Sequence, residues 1–402
     1  MTQKFDDFMI WVPTKIFFGK KSLDHLAATI KEYGNRVLLV YGGGSIKENH
    51  LYDTVINILD SNDIFHCELS GVQPNPLASL IDEGLKIARD NVVDLVLPVG
   101  GGSVIDSAKA IAGAYYFDGG VIDFMNSLEG KPVETEMVLP TITILTLPAT
   151  GSEMATGNTF VNDYVMPHIK AGFHGPYIRP RASFLNPEYM ASLSAKHIAA
   201  GVSDIMSHIL ESYFSNEKES FMHARIAEGM LKTLIKYTPI ALECPTDYEA
   251  CANIMYCSSW GNNGYIVKGN YVSWSVHLLE NPLNERFNVT HGEGLAILTP
   301  HWMRWAKRKE NIYRYVELGV NVFGINPLMP DNDIADRCME AIENFYFDIM
   351  RMPRRLRDLG VDKAAFEECA EKFARKETID YQSMAFVPIA PSDALDIYNA
   401  AY

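Results

Sequence analysis

Val99-Gly100-Gly101-Gly102-Ser103-Val104-Ile105-Asp106-Ser107-Ala108-Lys109 has the pattern of a strand end, a glycine turn and a helix. Residues 94–99 form an apolar run typical of a buried strand. Glycine has no Cβ to keep a phosphate from the backbone, and a helix start offers unpaired N–H groups and a positive dipole end. The stretch therefore predicts a pyrophosphate cradle. The alternative is a tight turn without a ligand, because the Gly-x-Gly-x-x-Gly fingerprint and the Walker lysine are both missing.

A similar turn ends an earlier strand. The apolar run at residues 36–41 is followed by Gly42, Gly43, Gly44 and Ser45, and Lys47 comes shortly after. In a nucleotide-binding fold, an acidic residue here would bond the ribose 2′-hydroxyl and repel a 2′-phosphate. This turn carries a serine and a lysine in its place, so it favours NADP(H) over NAD(H). The alternative is a glycine turn that only directs the chain.

The hydrophobic pattern of the sequence changes near the middle of the chain. The first half alternates short strands with amphipathic stretches such as residues 77–88, and a third strand-like run covers residues 140–148. This alternation predicts a parallel, doubly wound α/β sheet of Rossmann-like type. After residue 187 the β-branched runs stop and helical periodicity continues. We therefore predict an α/β dinucleotide-binding domain at residues 1–187 and an all-helical domain at residues 188–402, which holds the candidate metal ligands described below and is on their account predicted to be metal-binding.

Composition excludes several classes of protein. The chain has 402 residues, 48% of them hydrophobic, and its 35 Lys+Arg against 50 Asp+Glu give a net charge of −15. That balance does not attract nucleic acid or an anionic membrane, and no apolar run approaches the roughly 20 residues of a membrane helix. Six scattered cysteines without a Cys-x-x-Cys pair predict free thiols. An acidic start in place of a basic secretory signal completes the expectation of a cytoplasmic protein.

The second half holds candidate metal ligands. Asp204 and His208 are four residues apart in a helical stretch, which places a carboxylate and an imidazole on one face. Such a pair suits Zn²⁺ or Fe²⁺, although a surface contact is the alternative. His277 and His291 lie among apolar neighbours, where a buried imidazole needs a partner. Spacing alone leaves open whether the four side chains meet.

Together these motifs resemble the iron-containing, group III alcohol dehydrogenases. The resemblance covers nearly the whole chain and rests on Gly100-Gly101-Gly102-Ser103-x-x-Asp106, Thr150-Gly151-Ser152-Glu153, Asp204-x3-His208-x2-Glu211 and His277 with His291-Gly292. The pattern is most similar to the butanol dehydrogenase or NADPH-dependent aldehyde reductase branch. It implies a dehydroquinate synthase-like fold, an active site in the cleft between the two domains, and a homodimer.

The resemblance also implies site residues. One divalent ion, iron or zinc, is bound in the family at the positions of Asp204, His208, His277 and His291. The cofactor positions match Gly42, Gly43, Gly44, Ser45, Asn75, Gly101, Gly102, Ser103, Asp106, Thr146, Thr150 and Lys170. Four residues after His277 the family usually has a proton-relaying histidine, and this chain has Asn281 at that catalytic position. An amide cannot accept and return a proton near neutral pH, so another group must relay it or turnover is impaired.

The reaction that follows from the resemblance is hydride transfer between NADP(H) and an aldehyde/primary alcohol pair, with the ion as Lewis acid. The alternatives are a glycerol-dehydrogenase-like polyol oxidase, a dehydroquinate-synthase-like lyase and a non-catalytic nucleotide or metal sensor. A lyase acting on a polyanionic substrate would need several basic residues near the metal segments, but residues 199–211 have none and residues 271–296 have only Arg286. Polyol oxidases of this kind generally bind their ion with fewer than four residues.

Overall fold

A computed structural model describes residues 8–215, 220–268, 271–307, 311–374 and 385–402. They form two compact units, residues 11–193 and residues 194–402, with residues 8–10 grouped with the second. The predicted domain boundary at residue 187 stays a prediction. The 3₁₀ helix Pro187–Ser192 lies in the first unit, and its Tyr189 packs against the core of that unit.

The first unit is built on a parallel sheet. The strands of its described residues are β1 (Lys15–Phe18), β2 (Arg36–Tyr41), β3 (Phe65–Leu69), β4 (Leu95–Gly100), β5 (Ile142–Leu145), β6 (Phe160–Asn162), β7 (Ile169–Ala171) and β8 (Ala182–Leu185). Six of them form a sheet in the order β1-β8-β5-β4-β2-β3, and β6 and β7 form a separate antiparallel pair. The predicted doubly wound α/β architecture is confirmed.

Helices cover both faces of this sheet. They are α1 (Leu26–Lys31), α2 (Ser45–Glu48), α3 (Leu51–Asp60), α4 (Ala78–Asp90), α5 (Gly102–Ala114) and α6 (Val121–Ser127). Alternate residues of one strand enter different cores: Leu38 packs with α4 and α5, whereas Val37 and Leu39 pack with α1 and α3. Burial on both faces is why these strands have continuous apolar sequences.

The second unit is helical throughout its described residues, as predicted. Its helices are α7 (Ala195–Tyr213), α8 (Phe221–Glu243), α9 (Tyr248–Gly261), α10 (Ser275–Phe287), α11 (His291–Lys307), α12 (Tyr313–Asn321), α13 (Asp331–Glu343), α14 (Phe366–Glu371) and α15 (Pro391–Ala401). A π-helical turn, Asn344–Ile349, follows α13. Within the described ranges, no helix has the length and apolarity needed to cross a membrane.

Candidate active site

Three helices of the second unit bring one carboxylate and three imidazoles together. Helix α7 carries Asp204 and His208, α10 carries His277, and α11 begins at His291. One ligand atom from each of Asp204, His277 and His291 lies within 4.8 Å of the other two. Asp204 Oδ1 is 3.8 Å from Nε2 of both histidines and 3.3 Å from His208 Nδ1.

His208 lies beside this three-atom group without belonging to it. Its ring centroid is 4.7 Å from that of His277, and its side chain is buried. The Trp274 ring meets the rings of His208 and His277 edge-on, at centroid distances of 5.7 and 5.5 Å. The three imidazoles singled out by the sequence thus surround Asp204 Oδ1. The role of all four side chains as metal ligands stays a prediction.

The converging atoms fit a divalent cation. Asp204 Oδ1, His208 Nδ1 and His277 Nε2 are buried and have no hydrogen-bond partner among the residues that the structure describes. Leaving a buried polar atom unpaired costs roughly 1–3 kcal/mol, so three such atoms side by side need compensation. Carboxylate oxygen and imidazole nitrogen are ligands of both Fe²⁺ and Zn²⁺. A cation at this point would satisfy all three atoms.

The surroundings control the protonation of the cluster. Burial alone would raise the pKa of Asp204, but the neighbouring imidazoles outweigh it and hold the pKa well below its usual range. Burial lowers the pKa of His208 to about 4, so this imidazole is neutral. Burial alone would lower the pKa of His277, but Glu211 and Asp204 raise it to about 10. His277 therefore holds a proton that a metal ion must displace on binding.

Two glutamates contact the Nδ1 atoms of His277 and His291, whose Nε2 atoms are the ones near Asp204 Oδ1. The His277 Nδ1 atom lies 2.5 Å from Glu211 Oε1, and the His291 Nδ1 atom lies 2.7 Å from Glu280 Oε2. Sequence analysis assigned neither glutamate a role. The available signal was helical spacing, because Glu211 follows His208 by three residues and Glu280 follows His277 by three.

A glycine allows α11 to approach α7. A Cβ added to Gly292 would lie 2.1 Å from the backbone oxygen of Ala200, so no larger residue fits at this crossing without movement. Gly292 directly follows His291, and Ala200 lies one turn before Asp204 on α7. The close crossing therefore brings His291 up to the carboxylate.

Asn281 lies on α10 one turn after His277 and is partly exposed. It directly follows Glu280, on the helix that carries the candidate ligand His277. Its amide provides no proton-transfer group at this position. The assignment of Asn281 to the catalytic position stays a prediction.

The predicted cofactor turns lie at the carboxyl ends of neighbouring strands, on one side of the sheet. The register pairs Tyr41 with Val99 and Gly100 with Leu145, so neighbouring strands β2, β4 and β5 end together. After these ends come Gly42–Gly44 with Ser45 at the start of α2, Gly101–Ser103 at the start of α5, and Thr146 and Thr150. Ligands of open α/β sheets bind at the carboxyl ends of the strands.

The turns have the space and the donors for phosphate groups. A Cβ added at Gly43 or Gly44 would meet nothing within 4 Å, whereas at Gly102 it would lie 2.4 Å from Thr150 Oγ1. Gly101 is the N-cap of α5 and provides no capping side chain, so the first N–H groups of the helix face outward from its start. These features fit a dinucleotide.

The other predicted cofactor residues have different surroundings. Asp106 accepts hydrogen bonds from Ser152 Oγ at 2.5 Å and from the Thr159 N–H at 3.0 Å, so its carboxylate holds the loop that contains Thr150. Near Asn75, the N–H of Val161 donates to the oxygen of the next residue, Pro76, at 2.7 Å. Val161 also pairs with Lys170 across β6 and β7. Asn75 has a left-handed backbone, with φ 57°.

Comparison with known proteins decides the family. Residues 13–187 match the model of the family "Iron-containing alcohol dehydrogenase", and residues 198–402 match its C-terminal counterpart, "Fe-containing alcohol dehydrogenase family, C-terminal". The chain is 44% identical over 393 residues to the NADH-dependent butanol dehydrogenase B of Clostridium acetobutylicum, with 98% of this chain and 99% of that protein covered. The chain belongs to the iron-containing alcohol dehydrogenase family.

Two further relatives agree with this membership. The dehydrogenase is 32% identical to the NADPH-dependent aldehyde reductase YqhD of Escherichia coli over 91% of its own length and 92% of that protein's. The crystal structure of NADH-dependent butanol dehydrogenase A from Thermotoga maritima matches it with a TM-score of 0.91 and 31% identity, covering 99% of both chains. It is therefore an NAD(P)-dependent oxidoreductase of alcohols and aldehydes.

Proposed function

We propose that this dehydrogenase is a metal-dependent aldehyde reductase that favours NADP(H) over NAD(H) and also runs in the alcohol-oxidising direction. The observation that carries the metal dependence is the meeting of Asp204 with His208, His277 and His291. When bound, Fe²⁺ or Zn²⁺ there supplies a Lewis acid for the carbonyl oxygen, and the nicotinamide supplies or accepts the hydride.

In this scheme the residues of the chain bind the cation and orient the aldehyde. Asp204 provides the negative charge of the ligand set. Its side chain is only 5% exposed, whereas those of His277 and His291 are 16% and 29% exposed. The site is therefore closed behind the carboxylate and accessible beside these two imidazoles, where we place the aldehyde. Neither Asp204 nor a cation-bound imidazole is available to relay the proton.

A direct assay separates the candidate reactions. Purified enzyme with Fe²⁺ or Zn²⁺ is expected to consume NADPH in the presence of butanal, followed by absorbance at 340 nm, and chelation should abolish the reaction until metal is returned. A polyol oxidase would instead require glycerol and oxidised cofactor, and a sensor would bind cofactor without turnover. Cofactor consumption that persists after complete metal removal would contradict metal dependence.

The early glycine turn supports the cofactor preference. Lys47 lies over the rings of Tyr41 and Tyr52, with its Nζ 5.0 and 4.6 Å from their centroids. The hydroxyls of both tyrosines donate to the carboxylate of Glu68 on β3, at 2.7 and 2.8 Å. This carboxylate is thus already engaged, while Lys47 is an exposed residue beside the turn. The turn therefore offers a cation to a 2′-phosphate.

The Lys47→Ala variant tests this preference. We expect kcat/KM with NADPH to fall roughly 10-fold or more, because a charged hydrogen bond contributes about 1.5–3 kcal/mol, while kcat/KM with NADH changes little. Steady-state rates with both cofactors and butanal give the ratio. Lys86→Ala is the matched control, since Lys86 is exposed and pairs only locally with Asp90. The butanol dehydrogenase B of Clostridium acetobutylicum is named as NADH-dependent, so the opposite preference is a real alternative. A higher kcat/KM with NADH than with NADPH in the wild type would overturn the proposal.

We propose a homodimer, and β1 lies at the edge of the described sheet, where a second copy could add to it. Analytical ultracentrifugation should give twice the monomer mass. A cytoplasmic location is proposed from the sequence and is checked by fractionating cells of the source organism.

A further inference from the structure

The candidate metal cluster is surrounded by a series of contacts that runs from helix to helix. Glu211 on α7 contacts His277 on α10, and Glu280 on α10 contacts His291 on α11. We propose that Glu211 and Glu280 are positioning residues that set the affinity of the site for its cation by holding His277 and His291 with Nε2 toward Asp204. This inference rests on the proposed metal site.

Glu211 is engaged through both carboxylate oxygens. Oε1 accepts from Ser207 Oγ at 3.0 Å as well as from His277 Nδ1. Oε2 accepts from the Val276 N–H at 2.9 Å. That N–H lies in the first turn of α10, whose donors have no partner within the helix, and the N-cap residue Trp274 supplies no side-chain bond to them. One side chain of α7 thus caps α10 and orients its histidine.

Glu280 is held by close packing and by its contact with His291. It is fully buried, and its Oε2 lies 2.7 Å from His291 Nδ1. A Cβ added to Gly294 on α11 would lie 2.7 Å from Glu280 Cγ, so a glycine leaves the room that this side chain occupies. Burying a carboxylate is costly unless it is paired, and the imidazole N–H provides a partner.

These contacts affect the Nε2 atoms of His277 and His291 as metal ligands. Once a cation has displaced any proton on Nε2, a carboxylate that accepts from Nδ1–H leaves the Nε2 lone pair to the cation and makes that nitrogen a better ligand. Both Nε2 atoms lie 3.8 Å from Asp204 Oδ1, on the side where the cation is proposed. Loss of such an outer contact typically costs 10- to 100-fold in metal affinity.

Zinc affinity of the full-length protein, stripped by a chelator, tests the inference. Zn²⁺ binding is measured by competition with a chromophoric chelator for wild type, Glu211→Gln, Glu280→Gln and Glu280→Met. We expect about 10- to 100-fold weaker binding for Glu280→Met, and a smaller loss for the glutamine variants, which keep an acceptor oxygen but lose the charge. Glu228→Gln is the matched control, because Glu228 is buried and accepts from Tyr213 and Arg225 instead of a candidate ligand.

A second measurement separates positioning from general stability. Side-chain ¹⁵N spectra of the histidines in the metal-free protein should show His291 as the Nδ1–H tautomer in wild type and a mixture of tautomers in Glu280→Met. Should the methionine variant fail to fold, Glu280→Gln and Gly294→Ala provide the same comparison, the latter by displacing Glu280. Unchanged zinc affinity in the Glu280 variants, or an equal loss in Glu228→Gln, would overturn the inference. Wild type that binds no zinc would overturn the proposed metal site itself.

Discussion

The Asp204→Asn variant is expected to be purified with little bound metal and to lose about 10³-fold or more of its kcat/KM for an aldehyde. Asp204 is the charged member of the candidate ligand set, and its Oδ1 lies within 3.3 to 3.8 Å of all three imidazoles. A neutral amide in its place is a poorer ligand and points either a weak oxygen or an N–H at the cation. A Lewis acid contributes several kcal/mol to such a reaction, and each 1.4 kcal/mol is a factor of ten.

Elemental analysis of variant and wild type, prepared side by side with equal iron and zinc, provides the measurement. Asp336→Asn is a suitable control, because Asp336 is an exposed helix aspartate paired with Lys307. It should keep wild-type metal content and activity. Equal metal content in Asp204→Asn and wild type would contradict the site, whatever happened to the rate.

The α/β half of the fold could be predicted because its signals are local. The run at residues 36–41 is a strand over those same residues, since a central parallel strand is buried on both faces and its sequence is apolar from Val37 onward. Glycines end β2 and β4 because the chain turns there toward α2 and α5. The exact domain boundary depends on packing, which local patterns do not show: Tyr189 packs on the first unit although it lies beyond the last strand.

The meeting of the candidate ligands could be predicted only through family resemblance. His277 and His291 belong to two different helices, which are separated by residues 288–290. The first of these, Asn288, has a left-handed backbone with φ 50°. Their convergence on Asp204 depends on how α7, α10 and α11 pack, and spacing along one chain carries no such information. The roles of Glu211 and Glu280 depend on the same packing. Periodicity could show that they share a helix face with a histidine, but not which imidazole each one contacts.

The packing itself is open to a single-atom test at Gly292. The Gly292→Ala variant is expected to lose about 1–3 kcal/mol of unfolding free energy or more, and its zinc affinity should fall together with its stability. The added Cβ would lie 2.1 Å from the backbone oxygen of Ala200, and backbone cannot rotate away as a side chain can. Helices α7 and α11 must therefore separate, which moves His291 away from Asp204. Urea unfolding with and without Zn²⁺ measures both effects.

Gly229→Ala supplies the matched control. Gly229 is also a helical glycine, on the exposed face of α8, and a Cβ there would meet nothing within 4 Å. This variant should gain about 0.5–1 kcal/mol, because alanine loses less backbone entropy than glycine in a helix. The same substitution thus has opposite expected signs at the two positions, and only the crossing of α7 and α11 accounts for the difference. If Gly292→Ala matched wild type in stability and zinc affinity, the close crossing could not be what assembles the site.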